Sequence, residues 1–368
     1  MENKTKVVQK KKFRFLDIFY SMSPLLASIA CILIGLLIGI VTLVCVNPGA
    51  SANGIYNFLF GGLKEPSKVL YLTTPILLTG LAVAFANKAG LFNIGCSGQF
   101  LAGALIALIA AIDWQQNWFV CILLALIAGF VYGAIPGIFK AYFNVNEVIT
   151  AIMLNWIALF VMNVICVNDN NLFMVKEYKT NELAQVNPGA ILPRIDNNPY
   201  LNIGIFIAIF IAILLYIVVK YTTFGYELQA VGFNRDASRY AGISTKKNII
   251  LSMAISGALA GLSGALYYLV GTVRYSPQTA MVPAQGFNGI PVALLANSNP
   301  IGCIFTAVLI SYLQVCSDYM QPAFAKETVD LAISLIIYLS AFSLFFLQLF
   351  RKIGKPKMHK VQLEKGAK

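Results

Sequence analysis

Ten stretches of this chain are apolar for long enough to cross a lipid bilayer, and inside lipid a backbone has few shapes open to it. A spanning helix needs about 20 such residues, and the runs lie near 24–46, 69–87, 91–112, 118–139, 146–167, 201–220, 248–270, 281–297, 300–317 and 329–350. No water reaches that depth to satisfy N–H and C=O groups, so each run must close its hydrogen bonds within itself as a helix. Apolar residues make up 58% of the chain and charged residues only 11%, against about 25% charged in a soluble domain. The expected fold is an all-α integral membrane protein of about ten transmembrane helices, the eighth and ninth runs being the shortest. The first run exceeds a signal-peptide core, so it reads as a retained span despite Ala50-Ser51-Ala52, which resembles a weak cleavage site.

The formal net charge of +12 could suggest a nucleic-acid partner, but its distribution argues otherwise. Lys4, Lys6, Lys10, Lys11, Lys12 and Arg14 crowd the N-terminus, and Arg351, Lys352, Lys355, Lys357, Lys360, Lys365 and Lys368 the C-terminus. Lys220, Arg235, Arg239, Lys246 and Lys247 lie in or beside a central polar loop, whereas the loop 168–200 balances its cations with Asp169, Glu177, Glu182 and Asp196. Cytoplasmic loops carry the excess of Lys and Arg. The expected domains are therefore a basic cytoplasmic tail at 1–23, a transmembrane domain at 24–350 and a second basic cytoplasmic tail at 351–368. Within the membrane domain, 221–247 is a cytoplasmic loop and 168–200 an extracellular one.

Several chemistries are disfavoured. No side chain between Asp17 and Lys64, or from Asn248 through Thr272, is charged, and Glu147, Asp318 and Asp330 fall at span ends. Proton- or sodium-coupled carriers retain intramembrane carboxylates, because burying a charge there costs about 2.5–3.5 kcal/mol; a secondary carrier is the weaker reading. The seven cysteines, Cys31, Cys45, Cys96, Cys121, Cys166, Cys303 and Cys316, have no CxxC spacing, and His359 is the only histidine, so neither a metal site nor histidine catalysis is expected. No phosphate loop occurs, since Gly354-Lys355-Pro356 lacks the leading glycine and the hydroxyl residue. A membrane enzyme would need a nucleophile, base or metal constellation, and the spans show none.

Two apolar segments are broken. Gly90-Leu91-Phe92-Asn93-Ile94-Gly95-Cys96-Ser97-Gly98-Gln99 puts glycines and polar groups where a span should begin, and Gly286-Phe287-Asn288-Gly289-Ile290-Pro291 does the same in the second half. Irregular backbone at membrane depth survives only when buried in protein or lining a wet cavity. Paired breaks of this kind in two halves of opposite topology, 69–167 and 248–350, point to inverted repeats flanking a transport path. Asn93, Ser97, Gln99, Phe287 and Asn288 are the candidates for lining it, joined by Asn155. In Asn144-Val145-Asn146-Glu147, either asparagine can cap the next span. That span carries Asn155 and Asn163 about 80° apart, where buried amides must bond neighbouring helices or face a polar solute. The run 248–270 carries small residues in two rows, Gly257, Gly261, Ala265 and Ser256, Ala260, Gly264, which suits an interior helix approached closely by its neighbours.

In the central loop, Tyr226-Glu227-Leu228-Gln229-Ala230-Val231-Gly232-Phe233-Asn234 should continue the preceding helix and break at Gly232. A short helix from Arg235 to Ala241 should follow, with Asn234 as N-cap, Asp236 and Arg239 placed for the dipole, and Gly242 as C-cap. So short a helix persists when something docks on it.

The stretches 91–99, 146–155, 227–243 and 286–290 together resemble the nucleoside and simple-sugar branch of bacterial ABC importer permeases, related to ribose and branched-chain amino acid permeases. The likeness covers roughly residues 65–350. It implies a ten-span type II importer permease fold, in which Glu227, Ala230, Gly232, Asn234, Arg235, Arg239 and Gly242 would shape a coupling helix seated in the ATPase. It also implies a bacterial plasma-membrane assembly of this longer permease with a shorter one, a cytoplasmic ABC ATPase and an extracellular lipid-anchored solute-binding protein. ATP and Mg would be used by the ATPase partner, with no cofactor on this chain. Cys96-Ser97 departs from the small-then-acidic pair usual in the first motif, which removes a charge from the path. A neutral polar solute is implied, a nucleoside first and a simple sugar second.

Overall fold

The computed structural model describes residues 33–340 except 170, 175, 176, 178, 197, 278–280 and 322, together with 30 and 348. The basic tails, His359 and the last part of the run 329–350 lie outside the described residues, as does the start of the first run. The chain divides into two compact units, Tyr56–Tyr319 and the remainder, Met1–Ile55 with Met320–Lys368. The smaller unit contains helix α1 (Leu33–Val46) and α15 (Lys326–Ser340); within it the Asn47 side-chain amide donates to the carbonyl of Ala323 at 3.2 Å. Helix α2 (Ser51–Phe60) leads into the larger unit.

In the larger unit, α3 (Pro66–Lys88), α4 (Cys96–Ile112), α5 (Trp118–Phe143) and α6 (Glu147–Asn168) are followed by an ordered loop. That loop holds β1 (Phe173–Met174) paired antiparallel with β2 (Lys179–Thr180), Phe173 opposite Thr180, and a short α7 (Leu183–Val186). Then come α8 (Gly204–Tyr221), α9 (Thr223–Phe233), α10 (Arg235–Tyr240) and α11 (Thr245–Tyr268). Two short pieces, α12 (Ala284–Phe287) and α13 (Gly289–Leu295), precede α14 (Pro300–Asp318).

Among the described residues six helices are long and apolar enough to cross a bilayer: α3, α5, α6, α8, α11 and α14. The run 281–297 is not one span but the two short helices α12 and α13, and the run at 91–112 yields a helix of 17 residues that begins only at Cys96. At 1.5 Å per residue α4 is about 25 Å long, short of a hydrocarbon layer of about 30 Å. The glycine-containing breaks mark both departures: residues 90–95 precede the late start of α4, and the run 281–297 is split at Asn288, between Gly286 and Gly289.

Helices α3 and α11 form the inside of the unit, with 89% and 83% of their apolar windows buried, against 22% in α5. The small residues of α11 make this possible on two faces at once. A Cβ on Gly257 would lie 2.3 Å from the Gly129 carbonyl oxygen of α5, and one on Gly264 would lie 2.1 Å from that of Phe100 on α4. The backbones touch, as the small-residue rows lead one to expect. Outward, α5 and α6 expose Leu123, Ile127, Phe160 and Val164, the surface that hydrocarbon accepts.

The loop after α6 is fastened over one end of this bundle. The Asn187 side chain donates to the carbonyls of Ala111 and Gln116, each at 2.9 Å, and the Leu192 N–H donates to Leu269 O at 3.0 Å. Arg274 adds an ion pair with Glu177 and donates from Nε to Thr180 O at 2.7 Å. Buried Leu172, Leu183, Ala190 and Leu192 supply the apolar underside.

Candidate functional site

Leaving α3, the chain turns at Gly90, whose φ of +68° favours glycine, and climbs back into the bundle without helical hydrogen bonds. Its polar groups are instead satisfied by side chains. The Asn93 amide nitrogen donates to Gln99 Oε1 at 2.8 Å and to Ser256 Oγ at 2.7 Å, while its oxygen accepts from the Gly95 N–H at 2.9 Å. Ser256 passes the chain on by donating to Ala82 O at 2.7 Å. Asn93 thus sits level with Ala82, less than two turns from the end of α3 at Lys88, about 9 Å along the axis.

Helix α4 starts here with Gly95 as a cap that has no side chain to offer. The first N–H groups of a helix lack intrahelical acceptors, and Asn155 of α6 supplies one from outside. Its Oδ1 accepts from Gly98 N–H at 2.7 Å and its Nδ2 donates to Ile94 O at 3.1 Å. Asn155 is therefore a cap in trans for the broken segment. Asn146, not Asn144, caps α6 by accepting from Val148 N–H at 2.9 Å. Asn144 instead ends α5 in the left-handed region with φ 52°, and Glu147 pairs with Lys140 at 2.9 Å. Asn163 accepts from the Tyr275 hydroxyl.

The two broken segments meet. Ser97 Oγ donates to Pro283 O and Thr79 Oγ1 to Gln285 O, both at 3.1 Å. A Cβ on Gly286 would lie 2.2 Å from Ser97 Oγ, and one on Gly289 would lie 2.4 Å from the Thr79 carbonyl carbon. Beside this junction opens a groove of about 280 Å³, lined by Ile152, Asn155 and Trp156 of α6 and by Met281, Val282 and Phe287. Of the residues singled out in the sequence, Asn155 and Phe287 border the groove. Asn93, Ser97 and Gln99 are buried behind it, and Asn288 is half-buried at the joint of α12 and α13. Trp156, Met281 and Ser256 were not legible as members of the site, although Ile152, Asn155 and Trp156 are spaced 3 and 4 apart on one helical face. Among the described residues no three His, Cys, Asp or Glu side chains group to hold a metal.

The central loop departs from expectation in its first half. Helix α8 stops at Tyr221, and Thr222 caps a separate helix, its Oγ1 accepting from Gly225 N–H at 3.1 Å. Helix α9 runs through Gly232 to Phe233. The break comes one residue later, because Asn234 takes extended backbone and caps α10 by accepting from Ala237 N–H at 3.0 Å. Gly232 serves a close approach: a Cβ there would lie 2.3 Å from Lys88 O and 3.0 Å from Gly90 N. The loop thereby rests, backbone on backbone, on the turn that leads to Asn93. Glu227 accepts from the Asn248 amide at 3.0 Å, and Ala230 is half-buried. Arg235 is half-buried and Arg239 exposed in the first and last turns of α10, and Gly242, with φ +84°, ends it. Phe233 and Tyr240, 90% and 94% exposed, are apolar surface in a polar loop that the spacing of charges did not reveal.

A protein family described as the branched-chain amino acid transport system / permease component matches residues 65–341. The guanosine ABC transporter permease protein NupP of Bacillus subtilis (strain 168) is 39% identical over 326 residues, covering 87% of this chain and 92% of that one. The nucleoside ABC transporter permease protein NupB of Lactococcus lactis subsp. cremoris (strain MG1363) is 35% identical over 356 residues, 93% and 98% of the two chains. The guanosine ABC transporter permease protein NupQ of the same Bacillus strain is more distant, 23% identical over 270 residues, 68% and 81% of the two chains. No solved structure matches. A multi-pass helical chain whose two broken segments meet beside a groove, matched in this way over most of its length, belongs to the family of branched-chain amino acid transport system permease components.

Proposed function

We propose that this chain is the transmembrane permease subunit of an ATP-driven importer for nucleosides. The observation that carries the reading is the junction of the two broken segments, held by Ser97 to Pro283 and buttressed from α3 by Thr79 to Gln285, in a chain similar along most of its length to two nucleoside-type permeases. As a permease component it is not an enzyme, and ATP is hydrolysed by a separate subunit. The similarity to NupP and to the more distant NupQ of one organism supports a second, non-identical permease as partner.

The finer assignments rest on the same chain of argument. Both termini and residues 221–247 are cytoplasmic, on the strength of their Lys and Arg. Helices α9 and α10 form the coupling segment seated in an ABC ATPase that uses ATP and Mg. Glu227, Ala230, Gly232, Asn234, Arg235, Arg239 and Gly242 shape it, and exposed Phe233 and Tyr240 add anchors of the kind that dominate interfaces. A lipid-anchored binding protein delivers solute to the opposite face. The order α3, break, α4 to α6 and the order α11, break, α14, α15 support an inverted repeat. The path runs by the groove, with Asn155 and Phe287 at its wall, Asn93, Ser97 and Gln99 as the frame behind, and Asn288 at the second break. A simple sugar is the second reading of the cargo.

The test is uptake of labelled nucleosides by the complete importer in proteoliposomes with ATP inside the correct compartment. ATP-dependent accumulation of a nucleoside, with free ribose excluded, supports the assignment; accumulation of ribose alone reassigns the cargo.

A further inference from the structure

The amides around the broken segment look like ligands for a polar solute, but most of their hydrogen bonds are spent within the frame. Both Asn93 amide hydrogens are used, by Gln99 and Ser256, and Asn155 uses its oxygen on Gly98 and its nitrogen on Ile94. Asn93 and Gln99 are buried, as is Ser97, which gives its hydroxyl to Pro283. What the groove offers to a passing molecule is different in kind. Trp156 is 44% exposed and Phe287 37%, Met281 is exposed beside them, and Ile152 and Val282 complete a wall in which Asn155 is the one polar member.

Such a wall has little to give a sugar's hydroxyls and much to give a flat ring. A nucleobase carries a π face that stacks on an aromatic side chain whatever its hydrogen-bonding edge, and thioether sulfur adds a polarizable contact to aromatic rings. The volume of about 280 Å³ is near the lower limit of small-molecule pockets, about 300 Å³, room for a base with the sugar left towards the open side. Resting on the nucleoside reading above, we propose that Trp156, with Phe287 and Met281, forms a stacking surface over which the nucleobase slides, making Trp156 the residue through which this permease favours nucleosides over free sugars. The contact is sequence-tolerant among bases and leaves the sugar unread. Finer choice among nucleosides would then fall to whatever delivers them.

The experiment uses the complete importer in proteoliposomes and three forms of this chain, wild type, Trp156→Phe and Trp156→Leu. Loading with guanosine should quench part of the tryptophan emission of the wild type, an equal concentration of ribose should not, and the quench should vanish in Trp156→Phe. Uptake should persist in Trp156→Phe, which keeps an aromatic face, and fall about tenfold in Trp156→Leu, with ATP hydrolysis retained. Equal quenching by ribose and guanosine, or unchanged nucleoside uptake in Trp156→Leu, overturns the proposal while the nucleoside reading stands. A wild type that accumulates no nucleoside overturns both. Should Trp156→Leu fail to assemble, the quench comparison between wild type and Trp156→Phe still decides.

Discussion

Replacing Gly232 by alanine adds one methyl group at the point where α9 rests on the turn after α3. The added carbon would lie 2.3 Å from Lys88 O and 3.0 Å from Gly90 N, where ordinary contact begins near 3.4 Å. Both neighbours are backbone, so no side chain can rotate away, and α9 must withdraw by about 1 Å to bring the 2.3 Å approach out to ordinary contact. Overpacking of this size costs about 1–3 kcal/mol. That is too little to unfold the bundle, but as a coupling energy it corresponds to about 5–150-fold. The assay measures ATP hydrolysis and nucleoside uptake together in the reconstituted importer. Uptake per ATP should fall at least about fivefold in Gly232→Ala and further in Gly232→Val, with the complex intact. Gly242→Ala is the comparison: φ is +84° there, yet no atom lies within 4 Å of the added carbon, so only local backbone strain of about 1–2 kcal/mol is added and the ratio should fall less than in Gly232→Ala. Wild-type uptake per ATP in both Gly232 variants would refute the idea that this contact transmits movement.

Asn155→Ala removes the acceptor for the buried Gly98 N–H and should lower stability by about 1–3 kcal/mol, read as a drop in melting temperature of the detergent-solubilised complex; an unchanged melting temperature would count against the trans cap. Burial, and then the neighbouring charge of Asp169, hold the Asp113 carboxyl above its usual range. A raised folded pKa means stability is full below the ordinary carboxyl range and lost as pH rises through the raised value, so Asp113→Asn should raise the melting temperature most near neutral pH and flatten its pH slope; parallel slopes would disprove this. In a background without native cysteines, Phe287→Cys should react with small water-soluble thiol reagents and Asn93→Cys should not in the resting state, since Asn93 is fully buried; the reverse pattern would exchange wall and frame. Reporter fusions after Lys368 and within 168–200 should give opposite signals, and identical signals would overturn the topology.

What was legible in the sequence is what depends on neighbours in sequence. Asn234, Asp236, Arg239 and Gly242 announce α10 because capping is settled within one turn, and the rows Gly257, Gly261 and Ser256, Ala260 announce an interior helix because nothing else needs so many small side chains. Gly232 was read as a turn and proved to be a contact, since the need for a missing Cβ is set by Lys88 and Gly90, more than 140 residues away in the chain. Asn93 and Ser256 are likewise bonded across 163 positions. The glycines and Pro291 gave away the second break, but not that the run 281–297 would become two helices of 4 and 7 residues. Trp156 stayed hidden because one more large apolar residue in an apolar span carries no signal until a groove opens beside it.

The polar residues beside the groove are the ones the frame cannot spare. A segment that enters the bundle without helical hydrogen bonds must find an acceptor or donor for every buried backbone group; Asn93 and Asn155 bond that backbone directly, and Gln99 and Ser256 hold Asn93 in place. A free amide left over for cargo would be a liability whenever the groove stood empty, because an unpaired buried polar group costs about 1–3 kcal/mol. Aromatic and thioether surface carries no such penalty, since it is as stable empty as filled. A permease fed by a separate solute-binding protein has to release its cargo at every cycle, so weak contacts without unsatisfied partners serve it better than tight ones. On the stacking proposal, selectivity among nucleosides would lie outside this chain, and Trp156 would make the coarser distinction between a molecule with a flat face and one without.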